Sequence, residues 1–397
     1  MNKICILGLG YIGLPTSGIL AAKGHSVLGV DVNRTVVDTI NNGKIHITEP
    51  DLELFIKAAV GSGKLRAAGK PEPSDVFIIA VPTPFTKDHK PDMSYVEAAA
   101  KSIVPVLREG NLVVLESTSP PGTCEKIIAP ILADSKLKIG EEVFIAHCPE
   151  RVLPGQIMRE VVENDRVIGG INQESSLKAK ELYESFTKGK IFLTNATTAE
   201  MVKLVENSFR DVNIAFANEL SLICEDLGLN VWELISLANR HPRVKILRPG
   251  PGVGGHCIAV DPWFIVDACP QKTRLIKTAR LVNDDKPHEV IRKIRAAAQK
   301  FKKPVIGLLG LSYKENIDDL RESPSVEIAR RLNELNIGEI MICEPYCKSH
   351  PEFKLSSLDD ILRLADILVL LVPHKQFREI DREVVNRKIL VDTCGIW

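Results

Sequence analysis

Short runs of consecutive apolar residues alternate with segments of helical periodicity along the first part of the chain. The clearest apolar runs are Ile4–Leu7, Val27–Val30, Val76–Val81, Leu112–Leu115 and Val143–Ala146. Several runs are apolar at every position, which is typical of strands that are covered on both faces. Strands that alternate with helices indicate a parallel sheet with crossover helices.

The middle of the chain carries one long helical pattern. Thr197-Thr198-Ala199-Glu200 has the sequence of a capping box, and Gly228 supplies a stop signal about 30 residues later. A continuous apolar stripe follows spacings of three and four, and its members are Met201, Val205, Phe209, Val212, Phe216, Leu220, Ile223 and Leu227. Such a helix would span roughly 45 Å. We expect it to connect two domains and to help build a dimer interface, the alternative being an ordinary core helix.

From Pro304 onward the strand-helix alternation resumes. The predicted strands are Val305–Leu309, Ile340–Cys343, Ile367–Val372 and Ile389–Val391. This part of the chain echoes the beginning, because the sequences around Lys3 and Ser74 resemble those around Pro304 and Ala365.

The predicted fold class is therefore α/β, with two Rossmann-like doubly wound domains joined by a central helical domain that contains a long connecting helix. The predicted domains are residues 1–196, 197–300 and 301–397. The second Rossmann-like domain lacks the full glycine fingerprint, so it need not bind a dinucleotide.

Composition excludes several classes of partner. The 397 residues include 51 Lys+Arg and 51 Asp+Glu, so no global field favours nucleic acid or a membrane surface. No apolar run reaches the roughly 20 residues of a membrane span, and the first residues indicate a core strand rather than a signal peptide. The nine cysteines lack paired spacing. Together these features predict reduced thiols and a cytoplasmic location.

A metal site is not predicted. Cys343 and Cys347 are followed by His350, but this spacing is loose and no fourth ligand is evident.

A cofactor site is predicted at the first strand-to-helix turn. Gly8-Leu9-Gly10-Tyr11-Ile12-Gly13 is a G-x-G-x-x-G run between a predicted strand and a helical pattern. Its first glycine permits a tight turn, its second lets the backbone approach pyrophosphate, and its third lets helix pack against strand. Asp31 ends the next strand, where an acid favours NAD over NADP, although the nearby Arg34 weakens that preference. A glycine turn without a ligand is the alternative.

Hydroxyl side chains follow two further strands of the first domain. Thr83 comes after Val76–Val81, and Ser117-Thr118 comes after Leu112–Leu115. Open α/β sheets bind ligands at this edge, so these hydroxyls are expected to touch cofactor or substrate. Helix capping is the alternative.

A glycine-rich loop surrounds one cysteine far downstream. Gly252-Val253-Gly254-Gly255-His256-Cys257 is followed by Asp261. A thiolate nucleophile needs close access for its substrate, and glycines provide access because they lack a side chain. The carboxylate of Asp261 can hold or polarise a water beside the sulfur. Together with a nicotinamide cofactor, the cysteine predicts oxidation of an alcohol to an acid through a thioester.

Five motifs in this order resemble the UDP-glucose/GDP-mannose dehydrogenase family over essentially the whole chain. They are Gly8–Gly13, the run Pro149-Glu150-Arg151-Val152-Leu153-Pro154-Gly155, the pair Lys203 and Asn207, the Cys257 loop, and residues 313–324. The resemblance implies an NAD-dependent, four-electron oxidation of the C6 hydroxyl of a nucleotide sugar. It also implies a homodimer or higher homo-oligomer.

The resemblance implies roles for individual residues. Cys257 would be the nucleophile, Lys203 and Asn207 would stabilise negative charge on the substrate oxygen, Asp261 would orient water, and Glu150 with Thr118 would position a water or accept protons. The residues implied to contact NAD, besides the glycines, are Tyr11, Ile12, Asp31, Thr83, Thr118 and Arg321. Those implied to surround the nucleotide sugar are Arg151, Val152, Lys203, Asn207, Arg210, His241, Arg243, Tyr313 and Lys314. Arg243 would reach in from a neighbouring subunit.

Motif details narrow the expected substrate. Glucose-type members commonly carry a second glutamate four residues after the position of Glu150, where this chain has Pro154. That form and the loop around Cys257 resemble the N-acetylhexosamine enzymes, so UDP-N-acetyl-D-mannosamine is the expected substrate and UDP-N-acetylglucosamine the alternative. A two-electron β-hydroxyacid-type dehydrogenase and a non-catalytic nucleotide-sugar binder are the remaining alternatives. The first does not explain the glycine-cysteine loop or the second Rossmann-like domain, and the second does not explain why both Cys257 and Lys203 are present.

Overall fold

The computed structural model describes residues 2–86, 88–153, 155–255 and 257–397. Pro154 and His256, which belong to the motifs above, lie outside the described residues. The chain forms two compact units. Unit 1 comprises residues 1–206 and 263–269, and unit 2 comprises residues 207–262 and 270–397.

Unit 1 is built on an eight-stranded sheet with the strand order β3-β2-β1-β4-β5-β6-β7-β8. The strands are β1 (Lys3–Leu7), β2 (Ser26–Val30), β3 (Leu65–Ala68), β4 (Val76–Ile79), β5 (Leu112–Leu115), β6 (Phe144–His147), β7 (Arg166–Gly170) and β8 (Ile191–Asn195). The helices are α1 (Gly13–Ala22), α2 (Arg34–Asn41), α3 (Leu52–Gly61), α4 (Ser94–Ile103), α5 (Ala129–Ala133), α6 (Ile157–Glu163) and α7 (Gln173–Glu184), with short helical turns at Val104–Val106 and Cys124–Ile128.

All five predicted strands of the first domain are confirmed, and both faces of the sheet are covered. Ile4 and Ile6 point into one apolar cluster, while Cys5 and Leu7 point into the other. The expectation of a purely parallel sheet is wrong at one place, because β7 runs antiparallel to β6. The chain turns back at the carboxyl edge of β6 through a loop and α6, so it re-enters the sheet at the edge where it left.

Unit 2 contains a four-stranded parallel sheet with the order β10-β9-β11-β12. Its strands are β9 (Val305–Leu309), β10 (Glu339–Cys343), β11 (Ile367–Leu370) and β12 (Ile389–Asp392). Its helices are α9 (Val231–Ala238), α11 (Arg274–Ala298), α12 (Pro324–Leu335), α13 (Leu358–Leu364), α14 (Lys375–Arg378) and α15 (Arg382–Asn386). Helix α8 (Ala196–Leu227) begins in unit 1 and ends in unit 2, and α10 (Asp261–Ala268) begins in unit 2 and ends in unit 1.

The predicted internal echo is confirmed in backbone detail. In unit 1, the carboxylate of Asp75 accepts a hydrogen bond of 2.7 Å from the backbone N–H of Lys3. In unit 2, Asp366 accepts the equivalent bond of 2.9 Å from Val305. Gly8 and Gly310, which follow β1 and β9, have φ of 94° and 95°. The two sheets therefore share the same local arrangement of a first strand, the glycine turn that follows it and the aspartate that binds its first residue.

Helix α8 is confirmed as a long helix of 32 residues, but its predicted capping box is wrong. Asn195, rather than Thr197, accepts the hydrogen bond from the backbone N–H of Thr198 at 2.8 Å. Glu200 turns away from its own helix end and accepts from the backbone N–H groups of Gly122 and Cys124. Its carboxylate thus caps a different helical segment, because those donors are buried with it and need an acceptor.

A buried polar network joins α8 to α11 in unit 2. Arg280, which is fully buried, binds the carboxylate of Asp211, and Asn283 donates to the same oxygen at 2.8 Å. Asn218 donates to Asn283 at 2.8 Å and accepts from the backbone N–H of Gly250 at 2.9 Å. Burial raises the pKa of Asp211 to about 6, although Arg280 and Asn283 act in the opposite direction. This network fixes the chain that leads into the Cys257 loop.

None of the helices formed by the described residues is both long enough and apolar enough to cross a membrane.

Candidate active site

The three glycines of the first turn have different surroundings. A Cβ on Gly8 would lie 2.4 Å from the carbonyl oxygen of Ala80, and one on Gly13 would lie 1.9 Å from the carbonyl oxygen of Gly8. A Cβ on Gly10 would meet nothing within 4 Å. Gly8 and Gly13 are therefore required by protein packing, whereas Gly10 faces open space in which a pyrophosphate has room to approach.

Helix α1 completes a phosphate-binding turn. It starts at Gly13, and its N-cap residue Ile12 makes no side-chain capping hydrogen bond. The backbone N–H of Leu14 donates to the carbonyl oxygen of Gly10 at 3.1 Å and Pro15 has no N–H, so the helix dipole rather than a row of free donors favours an anion at this end. Tyr11 beside it is 37% exposed, so an aromatic side chain stands at the rim of the turn.

Asp31 is held at the end of β2. Its Oδ2 accepts a hydrogen bond of 3.1 Å from the backbone N–H of Leu9, and its Oδ1 accepts one of 2.8 Å from Asn33. These bonds tie the acid to the glycine turn and leave it half-buried. Arg34 lies nearby but is directed toward Asp38 at 4.0 Å, with its side chain 94% exposed. The geometry fits the ribose-binding acid of an NAD site.

Three hydroxyl side chains follow the ends of β4 and β5. Ser117 donates to the carbonyl oxygen of Val81 at 2.7 Å, so it joins the ends of β4 and β5. Thr83 and Thr118 are half-buried at this same carboxyl edge of the sheet. The structure thus gives Ser117 a role in joining two strand ends rather than in capping a helix, and ligand contact by the two threonines stays a prediction.

Glu150 follows β6 and is 4% exposed. Its Oε2 accepts from Arg166 at 3.0 Å, and its Oε1 accepts from the backbone N–H of Arg151 at 2.9 Å. Arg166 is equally buried and also donates to the carbonyl oxygen of Val161 at 2.8 Å. The ion pair and the backbone hydrogen bond therefore hold the Glu150 carboxylate in one position.

The loop after Glu150 is tied down at several points. Arg151 donates to Glu206 at 2.7 Å and to the carbonyl oxygen of Asp165. Glu49, which is 5% exposed, accepts from the backbone N–H groups of Gly155 and Ile157, each at 2.7 Å. Val152 packs against the core from its half-buried position. Arg151 and Val152 are thus presented on a rigid loop, and the sequence reasoning missed Glu49 as its anchor.

Lys203 lies in the first third of α8 and is half-buried. Burial and then the Lys203 charge lower the pKa of His147 to about 3, so His147 is neutral at physiological pH. Among the described residues, the Nδ1 atom of His147 has no hydrogen-bond partner. Lys203 and Asn207 stand one helical turn apart on the same face of α8.

Asn207 and Asp261 meet in unit 2. Asn207 donates from Nδ2 to the Oδ2 atom of Asp261 at 2.6 Å, and Asp261 is 3% exposed. The backbone N–H of Asp261 donates to the carbonyl oxygen of Cys257 at 2.8 Å, so the two residues are one turn apart at the start of α10. Cys257 itself is exposed. An accessible thiol beside an amide–carboxylate pair is an arrangement suited to covalent catalysis.

The glycines before Cys257 are expected from the sequence to give a substrate access to the thiol, but their surroundings show that they allow close packing of the loop. A Cβ on Gly255 would lie 2.7 Å from the ring of Tyr313, and a Cβ on Gly254 would lie 2.4 Å from the carbonyl oxygen of Glu322. The backbone N–H of Gly255 donates to the carbonyl oxygen of Arg321 at 3.3 Å. The glycines therefore let the loop before Cys257 pack against the 313–324 motif.

The remaining predicted ligand-binding residues of unit 2 are exposed. Arg321 pairs with Asp319 through two hydrogen bonds of 2.9 and 2.6 Å, and Lys314 lies on the same loop. His241 and Arg243 lie on the loop after α9, where the backbone N–H of Arg243 donates to His241 Nδ1 at 3.3 Å. Arg210 is exposed on α8.

One group with metal-ligating atoms occurs among the described residues. It consists of Cys124, His147 and Glu200, whose potential ligand atoms lie within 4.8 Å of one another. Glu200 already accepts from two backbone N–H groups, and burial and then the Glu200 charge raise the pKa of the Cys124 thiol well above its usual range. A protonated thiol is a poor metal ligand, so these contacts are those of a helix cap.

The first sheet, its glycine turn and the acid after β2 define a Rossmann-type dinucleotide-binding protein of the dehydrogenase class. Comparison with known families matches residues 2–187 to the NAD binding domain, residues 197–285 to the central domain and residues 307–397 to the UDP binding domain of one family. The chain belongs to the UDP-glucose/GDP-mannose dehydrogenase family, whose members are NAD-dependent nucleotide-sugar dehydrogenases.

Several relatives are similar over the whole chain. An NDP-N-acetyl-D-galactosaminuronic acid dehydrogenase of Ralstonia solanacearum is 56% identical over 100% of this chain and 96% of its own length. The UDP-N-acetyl-D-mannosamine dehydrogenase of Escherichia coli K12 is 54% identical over 99% of both chains. The solved UDP-D-ManNAc dehydrogenase of Pyrococcus horikoshii has a TM-score of 0.92 and 40% identity, covering 100% of this chain and 96% of that one.

The different surroundings of Gly10 and Gly13 generate a prediction. Gly10→Ala adds a methyl group in open space, so the free energy of unfolding should change by less than about 1 kcal/mol while NAD binds at least about tenfold more weakly. Gly13→Ala forces a methyl group into a backbone oxygen and should destabilise the protein by about 3 kcal/mol or more. Denaturant unfolding and titration with NAD measure the two effects. Unchanged NAD affinity in Gly10→Ala would place the cofactor elsewhere.

Proposed function

We propose that this protein catalyses the NAD-dependent, four-electron oxidation of the C6 hydroxyl of UDP-N-acetyl-D-mannosamine to UDP-N-acetyl-D-mannosaminuronate through a thioester on Cys257. The observation that carries the proposal is the placement of Cys257 one turn from Asp261, which is held by Asn207 at 2.6 Å. The sugar follows from the Escherichia coli and Pyrococcus horikoshii enzymes, which carry this substrate in their names.

A second sugar is favoured by a specific observation. The Ralstonia solanacearum relative, at 56% identity, is named for an N-acetylgalactosaminuronic acid. An N-acetylgalactosamine nucleotide is therefore the second candidate substrate, and UDP-N-acetylglucosamine remains an alternative.

NAD would supply the hydride acceptor for both oxidation steps, with one NAD molecule for the first hydride and a second NAD molecule for the second. Gly8, Gly10 and Gly13 form its phosphate turn, and Asp31 lies where the ribose hydroxyls bind. The remaining residues proposed to contact it are Tyr11, Ile12, Thr83, Thr118 and Arg321.

The proposed chemistry begins at the C6 hydroxyl, whose proton passes to a water held by Thr118 and Glu150. Glu150 is well suited to orient this water because Arg166 holds its carboxylate in place. Departure of the first hydride leaves an aldehyde. The Cys257 thiolate then adds to the aldehyde carbon, so a C–S bond forms and the carbonyl oxygen becomes an oxyanion that Lys203 and Asn207 stabilise.

Departure of the second hydride from C6 converts the adduct into a thioester. A water oriented by Asp261 then attacks the carbonyl carbon, the C–S bond breaks, and the thiolate leaves as the carboxylate product forms. Asp261 is held for this task by Asn207. Each sugar therefore loses two hydrides and gains one oxygen atom from water.

The nucleotide part of the substrate needs cationic and aromatic partners. The residues proposed to surround it, in addition to Lys203 and Asn207, are Arg151, Val152, Arg210, His241, Arg243, Tyr313 and Lys314. Arginine suits a diphosphate because its forked donors pair with two oxygens. The domain division 1–196, 197–300 and 301–397 is part of the proposal, supported by the three family matches, and so is a cytoplasmic location.

We infer that the active protein is a homodimer or higher homo-oligomer. The apolar stripe of α8 is exposed in the single chain, with Phe209 at 68%, Leu227 at 66% and Phe216 at 50%. A contiguous exposed apolar face of this kind marks a protein interface. A partner of the same chain would cover it and would bring Arg243 into the neighbouring site.

The stoichiometry of NADH separates the mechanisms and the sugars. With limiting UDP-N-acetylmannosamine we expect two NADH per sugar nucleotide, because the thioester route removes two hydrides. N-acetylgalactosamine, N-acetylglucosamine and glucose nucleotides run in parallel. One NADH per sugar would contradict the role of Cys257. Two NADH with another sugar would keep the mechanism and replace the substrate.

Cys257 and Cys269 provide a matched pair of exposed cysteines. Cys257→Ser should lower kcat at least about 100-fold, because serine is a far weaker nucleophile and leaving group for the acyl transfer. Cys269→Ser should leave kcat unchanged and alter the free energy of unfolding by less than about 0.5 kcal/mol. Steady-state kinetics measure both variants, and wild-type turnover in Cys257→Ser would rule out the covalent scheme.

Phe209 and Leu275 are matched exposed residues, each 68% exposed, that lie on α8 and α11. Phe209→Asp places a charge in the apolar stripe, so the dimer should dissociate and activity should fall at least about tenfold. Leu275→Asp should leave both unchanged. Light scattering coupled to gel filtration measures the mass. A monomeric wild-type protein with full activity would contradict the proposed interface.

A further inference from the structure

One buried carboxyl group of unit 1 has no place in the mechanism above. Glu116 directly follows β5 and is 2% exposed. Tyr183 on α7 donates its hydroxyl to the Oε1 atom of Glu116 at 2.5 Å. The Oε2 atom is buried and has no hydrogen-bond partner among the described residues. A carboxylate in this position keeps one oxygen unsolvated, which disfavours its charged form.

Charged and titratable groups face Glu116 from four elements. They are Tyr183 on α7, Cys148 and Glu150 after β6, Arg166 on β7, and Lys203 on α8. Burial and then the Glu150 charge raise the pKa of Glu116 to about 7, while Tyr183, Arg166 and Lys203 act in the opposite direction. The group therefore changes its charge in the physiological pH range.

The nearby guanidinium of Arg166 is not a dedicated partner of Glu116. Arg166 already donates to Glu150 at 3.0 Å, to the carbonyl oxygen of Val161 at 2.8 Å and to Thr187 at 3.0 Å. Its guanidinium also stacks on Tyr183, with its central carbon 4.9 Å from the ring centre. The described contacts of Arg166 are thus made with Glu150 and with groups other than Glu116, and Glu116 is a second carboxyl group that feels the charges of this pair.

We propose that Glu116 is a positioning residue of the dehydrogenase reaction: its carboxyl group stores a proton behind Glu150 and Lys203, and its protonation controls the charge of this cluster. This inference rests on the proposed roles of Glu150 and Lys203. With Glu116 neutral, the formal charge of the cluster is one positive charge, the sum over Glu150, Arg166 and Lys203. With Glu116 ionised, the cluster is neutral.

A positive cluster assists the step in which negative charge develops on the substrate oxygen. Interactions between charges are strong in a site from which water is excluded, so one added carboxylate weakens the stabilisation that Lys203 provides. Above about pH 7, Glu116 loses this proton. The step then becomes slower than in a variant whose residue 116 cannot ionise.

The test compares Glu116→Gln with the wild-type protein between pH 5.5 and 9. Glutamine keeps the acceptor for Tyr183 but does not titrate. The ratio of variant to wild-type kcat should stay constant below about pH 6 and rise through about pH 7, by on the order of threefold to tenfold, which corresponds to a coupling of up to one pKa unit. Glu181→Gln, on the exposed face of α7, should give a constant ratio. Parallel profiles for Glu116→Gln and the wild-type protein would overturn the proposal.

Tyr183→Phe provides a second variant, in which the titration of Glu116 is shifted rather than removed. The hydroxyl of Tyr183 favours the ionised form of Glu116, so its removal should move the inflection of the kcat profile to higher pH. A purely structural role would lower kcat equally at every pH. An inflection that stays in place would therefore count against the stored proton.

Thermal unfolding tests the protonation without any substrate. The pKa of Glu116 is about 7 in the folded protein, above the ordinary value of 4.5, so the folded state holds the proton more tightly. This contribution to stability is complete below the ordinary value and is lost as pH rises toward 7. The Tm of Glu116→Gln relative to wild type should therefore increase between pH 5 and 8, and a constant difference would overturn the proposal. If no nucleotide sugar yields NADH, the proposed function fails, and this measurement still decides whether Glu116 holds the proton.

Discussion

The structure depends on the contacts that the polar face of α8 makes and on the exposure of its apolar face. One face carries a polar stripe of Glu200, Lys203, Asn207, Asp211 and Asn218, and three of its members are at most 1% exposed. The other carries the apolar stripe, in which Phe209 and Leu227 are more than half exposed. In the single chain this helix is thus buried along its polar side and open along its apolar side, the reverse of an ordinary surface helix.

Four members of the polar stripe each hold a different part of the protein. Glu200 caps the segment that begins at Gly122, Asn207 holds Asp261, and Asn218 holds the backbone of Gly250. A buried polar group without a partner costs more than its hydrogen bond returns, so every contact in the stripe specifies one position of the chain it binds. The ion pair between Asp211 and Arg280 follows the same logic, because burying it adds little stability but makes any other register costly.

Much of the fold could be predicted from the sequence because it rests on patterns that are local. Continuous apolar runs identified the strands, and the glycine turn identified the phosphate-binding edge. The capping box at Thr197 failed because Glu200 found buried donors far away in sequence, which no local pattern records. Strand β7 escaped prediction because it begins with the buried Arg166, whose partner Glu150 lies in another motif.

Glu116 is an instructive case, because a signal for it was present. It follows an apolar strand directly, in the same position relative to the sheet as the strand-end Ser117 and Thr118, and parallel sheets place functional groups at that edge. What the sequence lacks is the burial of Oε2 and the proximity of Glu150. The burial of this oxygen and the proximity of Glu150 depend on how α7 and β7 pack. These two features decide whether a carboxyl group is solvated or retains a proton.

The second Rossmann-like sheet repeats the strand-turn arrangement of the first but lacks its dinucleotide-binding groups. After β10, Glu344 stands where Asp31 stands after β2, and it accepts from the backbone N–H of Leu311 at 2.7 Å as Asp31 does from Leu9. Glu344, however, is 4% exposed and is paired with the fully buried His374 at 3.1 Å. The position equivalent to the open Gly10 is Ser312, which is also fully buried.

These substitutions convert the groups that bind a dinucleotide into an internal hydrogen-bond network. The Oε2 atom of Glu344 is occupied by two backbone donors and His374, its Oε1 atom accepts from the backbone N–H of Tyr346, and the whole side chain is buried, so it is closed to a ribose. The same histidine accepts from the backbone N–H of Asn316 at 2.9 Å and so fixes the loop that carries Tyr313 and Lys314. The strand-turn arrangement is retained while the groups that would bind a dinucleotide serve internal packing, which gives a physical reason why the second sheet lacks the glycine fingerprint.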